Sequence, residues 1–144
     1  MLKEEDIIEA VCTELRRRGY AIEQKLTTKQ QGDDVIAVKL GHPKQPLFVE
    51  AKGETSSRTG SKRYGKPFDS AQVRVHVAGA LYKAAEVLSR TGSTNDARVG
   101  IAFPDNDLHR RFEKAVHAVI IKLGIAVFWV RQDKSVEVQS PWEV

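Results

Sequence analysis

Apolar residues recur at helical spacing in three stretches of the chain and alternate or cluster in several shorter ones. Over residues 3–18, Ile8, Val11, Cys12 and Leu15 share one face of a helix. Arg16, Arg17 and Arg18 complement the negative end of its dipole, and Gly19 supplies a C-cap. A second helix is predicted over residues 70–90, with Val73, Val77, Leu81, Ala84 and Leu88 as its stripe. Asp69 and Gln72 stand at capping-box spacing at its start, Phe68 is placed to staple against Val73, and Gly92 ends it. The third helix, over residues 106–123, carries Phe112, Val116, Val119, Ile120 and Leu123 inward and stops at Gly124.

Between the helices the pattern predicts strands at 20–26, 34–40, 47–52, 98–103, 125–130 and 135–139, the second and third forming a hairpin around a turn at 41–46. The 125–130 run, Ile-Ala-Val-Phe-Trp-Val, is apolar on both faces, as in a strand covered on both sides. The resulting order, α-β-β-β-α-β-α-β-β, predicts an α/β domain spanning residues 1–144, a central mixed β-sheet flanked by helices.

Composition narrows the class. The chain has 144 residues, 41% of them hydrophobic, and a single cysteine, enough for a core without disulfides. Cys12 sits on an apolar helix face, and neither a Cys-rich metal cluster nor an N-terminal signal pattern is present, which predicts a reducing, cytoplasmic setting. The longest apolar region, residues 118–130, is interrupted by Lys122 and Gly124 and is too short to span a bilayer, so no membrane role is expected. The net charge of +4 is concentrated. Between residues 53 and 67, Arg58, Lys62, Arg63 and Lys66 face one anion, Glu54, while the rest of the chain nearly balances. A basic, Gly- and Ser-containing segment suits a polyanion such as a phosphate backbone, although, taken alone, a solvated surface loop is the simpler reading of it.

The segment with most chemistry is Gly32-Asp33-Asp34-Val35-Ile36-Ala37-Val38 and its hairpin partner Leu47-Phe48-Val49-Glu50-Ala51-Lys52. Alternation puts Phe48, Glu50 and Lys52 on one face of their strand, and Asp34 with Ile36 and Val38 on one face of the other. A register placing Asp34 opposite Lys52 leaves Glu50 on the diagonal, about 7–8 Å away. Two acids and a lysine at the mouth of an apolar hairpin are costly to desolvate, and a divalent cation with hard oxygen ligands would offset that cost. The plain alternative is a cross-strand charge ladder of small energetic value.

On Asp34 and Glu50-Ala51-Lys52, set on adjacent strands within the order α-β-β-β-α-β, the chain resembles the PD-(D/E)XK nuclease superfamily, the restriction-endonuclease-like fold. Asp33 stands where the motif's name has proline. The resemblance covers about two thirds of the chain and implies a metal-dependent nuclease hydrolysing DNA phosphodiester bonds. Asp34, Glu50 and the Ala51 carbonyl would bind Mg²⁺ or Mn²⁺, and Lys52 would orient or deprotonate the attacking water. Members often add a Glu from the first helix; Glu5, Glu9 and Glu14 are available here, with Glu9 as the candidate ligand. Arg58, Lys62, Arg63 and Lys66 would hold flanking phosphates. Gln72 would join them, although its capping box is a sufficient explanation of that residue. His76, one turn on, reads as a half-buried helix histidine. Tyr64 is placed to stack on a base or to cover its loop, and Trp142 to pack on a second subunit of a homodimer or to clamp its own domain. The competing function is a catalytically inactive nucleic-acid-binding or protein-interaction module on the same fold.

Overall fold

The structure is a computed structural model that describes residues 1–26, 32–42, 45–62, 64–91 and 96–144. Gly92 as helix terminator, Arg63 of the basic segment and positions 43–44 of the expected turn lie outside the described residues. The elements follow the order α1 (Glu4–Arg17), β1 (Tyr20–Lys25), β2 (Val35–Lys39), β3 (Pro46–Ala51), α2 (Ser70–Thr91), β4 (Arg98–Pro104), α3 (Asp107–Lys122), β5 (Ile125–Val130) and β6 (Val136–Gln139). Predicted boundaries therefore hold to within about two residues, as the fraying of element ends allows.

All six strands join one sheet in sequence order. The β1–β2, β2–β3 and β5–β6 pairs are antiparallel, and β3–β4 and β4–β5 are parallel. The two parallel steps are the ones crossed by helices, α2 and α3, because parallel neighbours need a long return. Alternation along the central strands builds two cores. Ala126, Phe128 and Val130 of β5 join Ile7, Ile8, Val11 and Leu15 of α1 on one face. Ile125, Val127 and Trp129 join Val73, Val77, Ala84 and Val87 of α2 and Ile120 of α3 on the other. Every residue of β5 is buried, as its pattern requires.

Helix signals carry over well. Gly19 adopts φ +92° just after α1, the left-handed conformation a C-cap favours. The Asp69–Gln72 capping box is formed in both directions. The Gln72 N–H donates to Asp69 Oδ1 at 2.9 Å, and the Asp69 N–H donates to Gln72 Oε1 at 3.0 Å. α3 is the exception. Val119 and Leu123 are 48% and 42% exposed, while His109 and Glu113 are buried. The helix leans on α2 and β5, so its inward face is narrower than the apolar stripe. Trp142 clamps its own domain, donating Nε1–H to the Gly124 carbonyl at 2.7 Å beneath the Arg98 guanidinium.

The hairpin register differs from the expected one. Val35 pairs with Val49, and continuing that ladder past the end of β2 sets Asp34 level with Glu50 rather than Lys52. Asp34 and Lys52 both lie one residue outside their strands.

Candidate active site

The C-terminal end of β3 meets the N-terminus of α1, and a glycine makes that meeting possible. A Cβ on Gly53 would come within 2.5 Å of the Glu4 nitrogen and 2.9 Å of the Lys3 carbonyl carbon, so only glycine allows the two backbones to pass. The Glu54 N–H then donates to the Leu2 carbonyl at 2.9 Å. This junction brings β3, the preceding β2 end and the first turn of α1 to one place.

Asp34, Glu50 and Lys52 converge there. Lys52 Nζ lies 3.2 Å from Glu50 Oε1, with side-chain exposures of 23% and 15%. Asp34 is 9% exposed, and its Oδ2 accepts the Ala51 N–H at 2.8 Å. Ala51 lies beyond the last β2–β3 pair, and its carbonyl leaves the strand on the same edge as its N–H, toward Asp34. Asp33 is not part of this group, because it pairs with Arg90 of α2. Burial pushes the Asp34 carboxyl up to about 6, against the Ala51 N–H, and the nearby Glu4 charge adds to the rise. Burial and then the charge of Asp34 push Glu50 up to about 7, with Lys52 and Lys83 opposing. The carboxyl pair thus holds protons well above the ordinary carboxylate range.

Glu4 is the acid from α1 that acts on this group. Its carboxyl is raised by burial, lowered by Lys52 and raised again by Glu50 and Glu5. Glu9, the expected helix ligand, instead faces Lys25 of β1 at 3.8 Å and is 57% exposed. It lies more than a turn further along α1, away from the junction at Gly53. Sequence reading offered Glu5, Glu9 and Glu14 and passed over Glu4, which lies in the acidic first turn of α1 with Glu5 and Asp6.

α2 lines the other side. His76 is held below its ordinary value by burial and by the Lys52 charge, against a hydrogen bond to the Gly53 backbone. Its ring meets Phe68 edge-on at 4.5 Å. Beside the junction opens a cleft of about 1460 Å³ whose lining includes Lys3, Glu4, Gly53, Arg58, Phe68 and His76. Glu4 and Gly53 line this cleft, whereas Asp34, Glu50 and Lys52 do not, and Glu50 lines a separate small pocket with Asp33 and Lys83.

The basic segment forms one wall of the cleft. Thr55 pairs with Pro67 and Ser56 with Tyr64, and Thr55 Oγ1 donates to the Lys66 carbonyl at 2.7 Å. Arg58, Lys62 and Lys66 are exposed, and among the described residues none of the three forms an ion pair. Gln72 lies at the start of α2 with its carbonyl engaged in the cap.

The wall is rooted by Glu54, which sequence reading treated only as the segment's one anion. Its buried carboxylate accepts the Leu2 N–H at 2.7 Å, Asn106 Nδ2 at 3.0 Å and Gln132 Nε2 at 2.5 Å. Burial alone would raise this carboxyl, but the hydrogen bonds from Leu2, Gln132 and Asn106 outweigh it and hold the group below its ordinary value. No spacing in the sequence signals this role, since the partners are 52 to 78 residues away.

A divalent cation fits the donor chemistry at Asp34, Glu50 and the Ala51 carbonyl, where hard oxygens crowd with more negative charge than Lys52 balances. Among the described residues no three His, Cys, Asp or Glu side chains are grouped to hold an ion by themselves, so the set is two carboxylates and a backbone carbonyl with Glu4 nearby. Comparisons with protein-family models, curated proteins and solved structures find no match to this chain. Among the described residues no helix is long and apolar enough to cross a membrane.

Proposed function

We propose that this protein is a metal-dependent nuclease of the PD-(D/E)XK type that hydrolyses DNA phosphodiester bonds in the cytoplasm. The observation that carries the reading is the meeting of Asp34, Glu50 and Lys52 at the end of β3, next to Gly53 of a cleft that Lys3 and Arg58 also line. Asp34, Glu50 and the Ala51 carbonyl would hold Mg²⁺ or Mn²⁺, which supplies Lewis acidity at the phosphate and acidifies a bound water. Lys52, 3.2 Å from Glu50, is placed to donate a hydrogen bond to the attacking water or to a phosphate oxygen as charge develops there. Arg58, Lys62 and Lys66 hold neighbouring phosphates and position the strand without reading its sequence. In the hydrolysis the water oxygen bonds to phosphorus, one P–O ester bond breaks, and the proton passes to the departing oxygen.

The test is nicking of supercoiled plasmid with Mg²⁺ or Mn²⁺ against EDTA. The parent should nick only with the metal. Glu50→Ala and Lys52→Ala should each lose on the order of 10³-fold in rate, about 4 kcal/mol of transition-state stabilisation, while still binding DNA. Equal cleavage by parent and variants removes the assignment.

One observation favours a second reading, a nucleic-acid-binding module without catalysis: Lys52 is already paired with Glu50 and one Asp34 oxygen with Ala51. Binding of DNA by the parent with no metal-dependent nick would select that reading.

A further inference from the structure

We propose that the end of the sheet remote from the acid group binds a phosphate group, held by Lys39 and Arg98 with Tyr20 and Gln45 beside them; the inference is independent of the nuclease reading. Register brings these residues together. Tyr20, at the start of β1, pairs with Lys39, at the end of β2, and Leu47 of β3 pairs with Arg98, at the start of β4. Paired residues share a face, and Lys39 and Gln45 each stand two positions from the paired core residues Ala37 and Leu47. All four therefore lie on the α1 side of the sheet, at one end of it. Gln45 and Glu50 are about 17 Å apart along β3, which separates this end from the acid group.

The two cations rest on rings rather than on carboxylates. Lys39 Nζ stands 5.6 Å from the centroid of the Tyr20 ring, and the Arg98 guanidinium 4.6 Å from that of Trp142. A ring face offsets part of a cation's charge but leaves its N–H donors free for acceptor oxygens. Both residues are half-buried, and among the described residues neither side chain forms an ion pair or a hydrogen bond. Tyr20 is 8% exposed, and its hydroxyl is equally without a partner among the described residues. Burial pushes that phenol up, while Arg98 and then Arg18 oppose the rise, so the Arg98 charge reaches the hydroxyl. A cavity of about 240 Å³ opens among Tyr20, Lys39, Gln45 and Arg98, with the exposed His42 and Glu143 also lining it. Glu143 is the one carboxylate among the described lining residues, so positive charge is in excess. The volume falls below the roughly 300–1,000 Å³ of small-molecule sites and suits a single ionic group. An arginine fork, an ammonium and a phenol offer donors that the tetrahedral oxygens of a phosphate can use together.

The experiment is thermal unfolding in EDTA, with millimolar sodium phosphate titrated against sodium chloride at matched ionic strength. Phosphate should raise the melting temperature above that in chloride, as binding to the folded state requires. The half-saturating phosphate concentration should rise about tenfold in Lys39→Gln and in Arg98→Gln, since each removes a charged contact. Lys114→Gln, which removes an exposed cation from α3, should leave it unchanged. Glu143→Gln should lower it about threefold. Melting in chloride checks the fold of each variant, and Lys39→Gln alone decides if Arg98→Gln does not fold. A short oligothymidylate, read by anisotropy in EDTA, separates two sources of the group. Weakening by both substitutions assigns a backbone diester, and indifference to both assigns a free or terminal phosphate. Equal response to phosphate and chloride, or a phosphate response that survives the substitutions, overturns the proposal.

Discussion

Two carboxylates four residues apart in the chain, the partly buried Glu50 and the buried Glu54, stand in opposite conditions. Glu54 is surrounded by donors: a backbone N–H and two side-chain amides meet its oxygens, and it is held ionised below the ordinary range. Glu50 has one ammonium at 3.2 Å and a second carboxyl beside it, and it is pushed up to about 7. Burial is common to both, so partners make the difference. A carboxylate with its lone pairs satisfied is a structural tie. One that faces another acid and is left short of donors stores an unmet demand for positive charge, and such positions are where chemistry concentrates.

The two roles should separate under substitution. The largest effect is the loss of nicking expected for Glu50→Ala. That variant should keep its folded stability, because it removes a poorly compensated charge. Glu54→Ala should do the reverse. It leaves the Leu2 N–H and two amides without an acceptor and should cost about 3 kcal/mol in urea unfolding. A Glu54→Ala protein as stable as the parent would dissolve the distinction.

Gly53 joins the two sites, and Gly53→Ala should disturb both. A Cβ 2.5 Å from the Glu4 nitrogen must displace α1 or the wall, at a cost of about 2 kcal/mol and with loss of cleavage. Unchanged melting would show that the close approach is not required.

The smallest effect carries the clearest sign. Asp34 and Glu50 hold protons to higher pH in the folded protein than in the unfolded chain, so in EDTA their contribution to stability falls as pH rises from the ordinary carboxylate range through about 7. Glu54 acts oppositely: its contribution is present above the unfolded value and is lost as pH falls through its lowered one. Glu50→Gln should therefore raise metal-free stability at pH 8 by about 1–2 kcal/mol and flatten the decline between pH 5 and 8. A variant that melts lower than the parent at pH 8 would show that the Lys52 contact outweighs the crowding.

Much of the scaffold was legible. The element order, the Asp69–Gln72 cap, the Gly19 terminus and the fully buried β5 each follow from a local signal, which the surroundings did not override. The three motif residues were also found from their pattern, and they do come together. Their exact pairing was not. Strand alternation has a period of two, so a shift of two residues leaves every side chain on its original face, and the pattern does not distinguish Asp34 opposite Lys52 from Asp34 level with Glu50. α3 failed for a related reason, since periodicity marks an apolar stripe but not how wide a face its neighbours will cover.

The sequence by itself determined which segments become helices and strands, where they stop, and which residue types would be available at the end of β3, because those properties depend on neighbours within a few positions. Tertiary structure alone decided that Glu4 rather than Glu9 stands beside the acid pair. It also decided that Glu54 is a tie rather than a surface charge, and that residues 55–61 of the basic segment line a cleft beside the start of α1. Each of these depends on where α1, the β5–β6 turn and the start of α3 come to rest against β3, contacts between residues some fifty or more positions apart that no local pattern encodes.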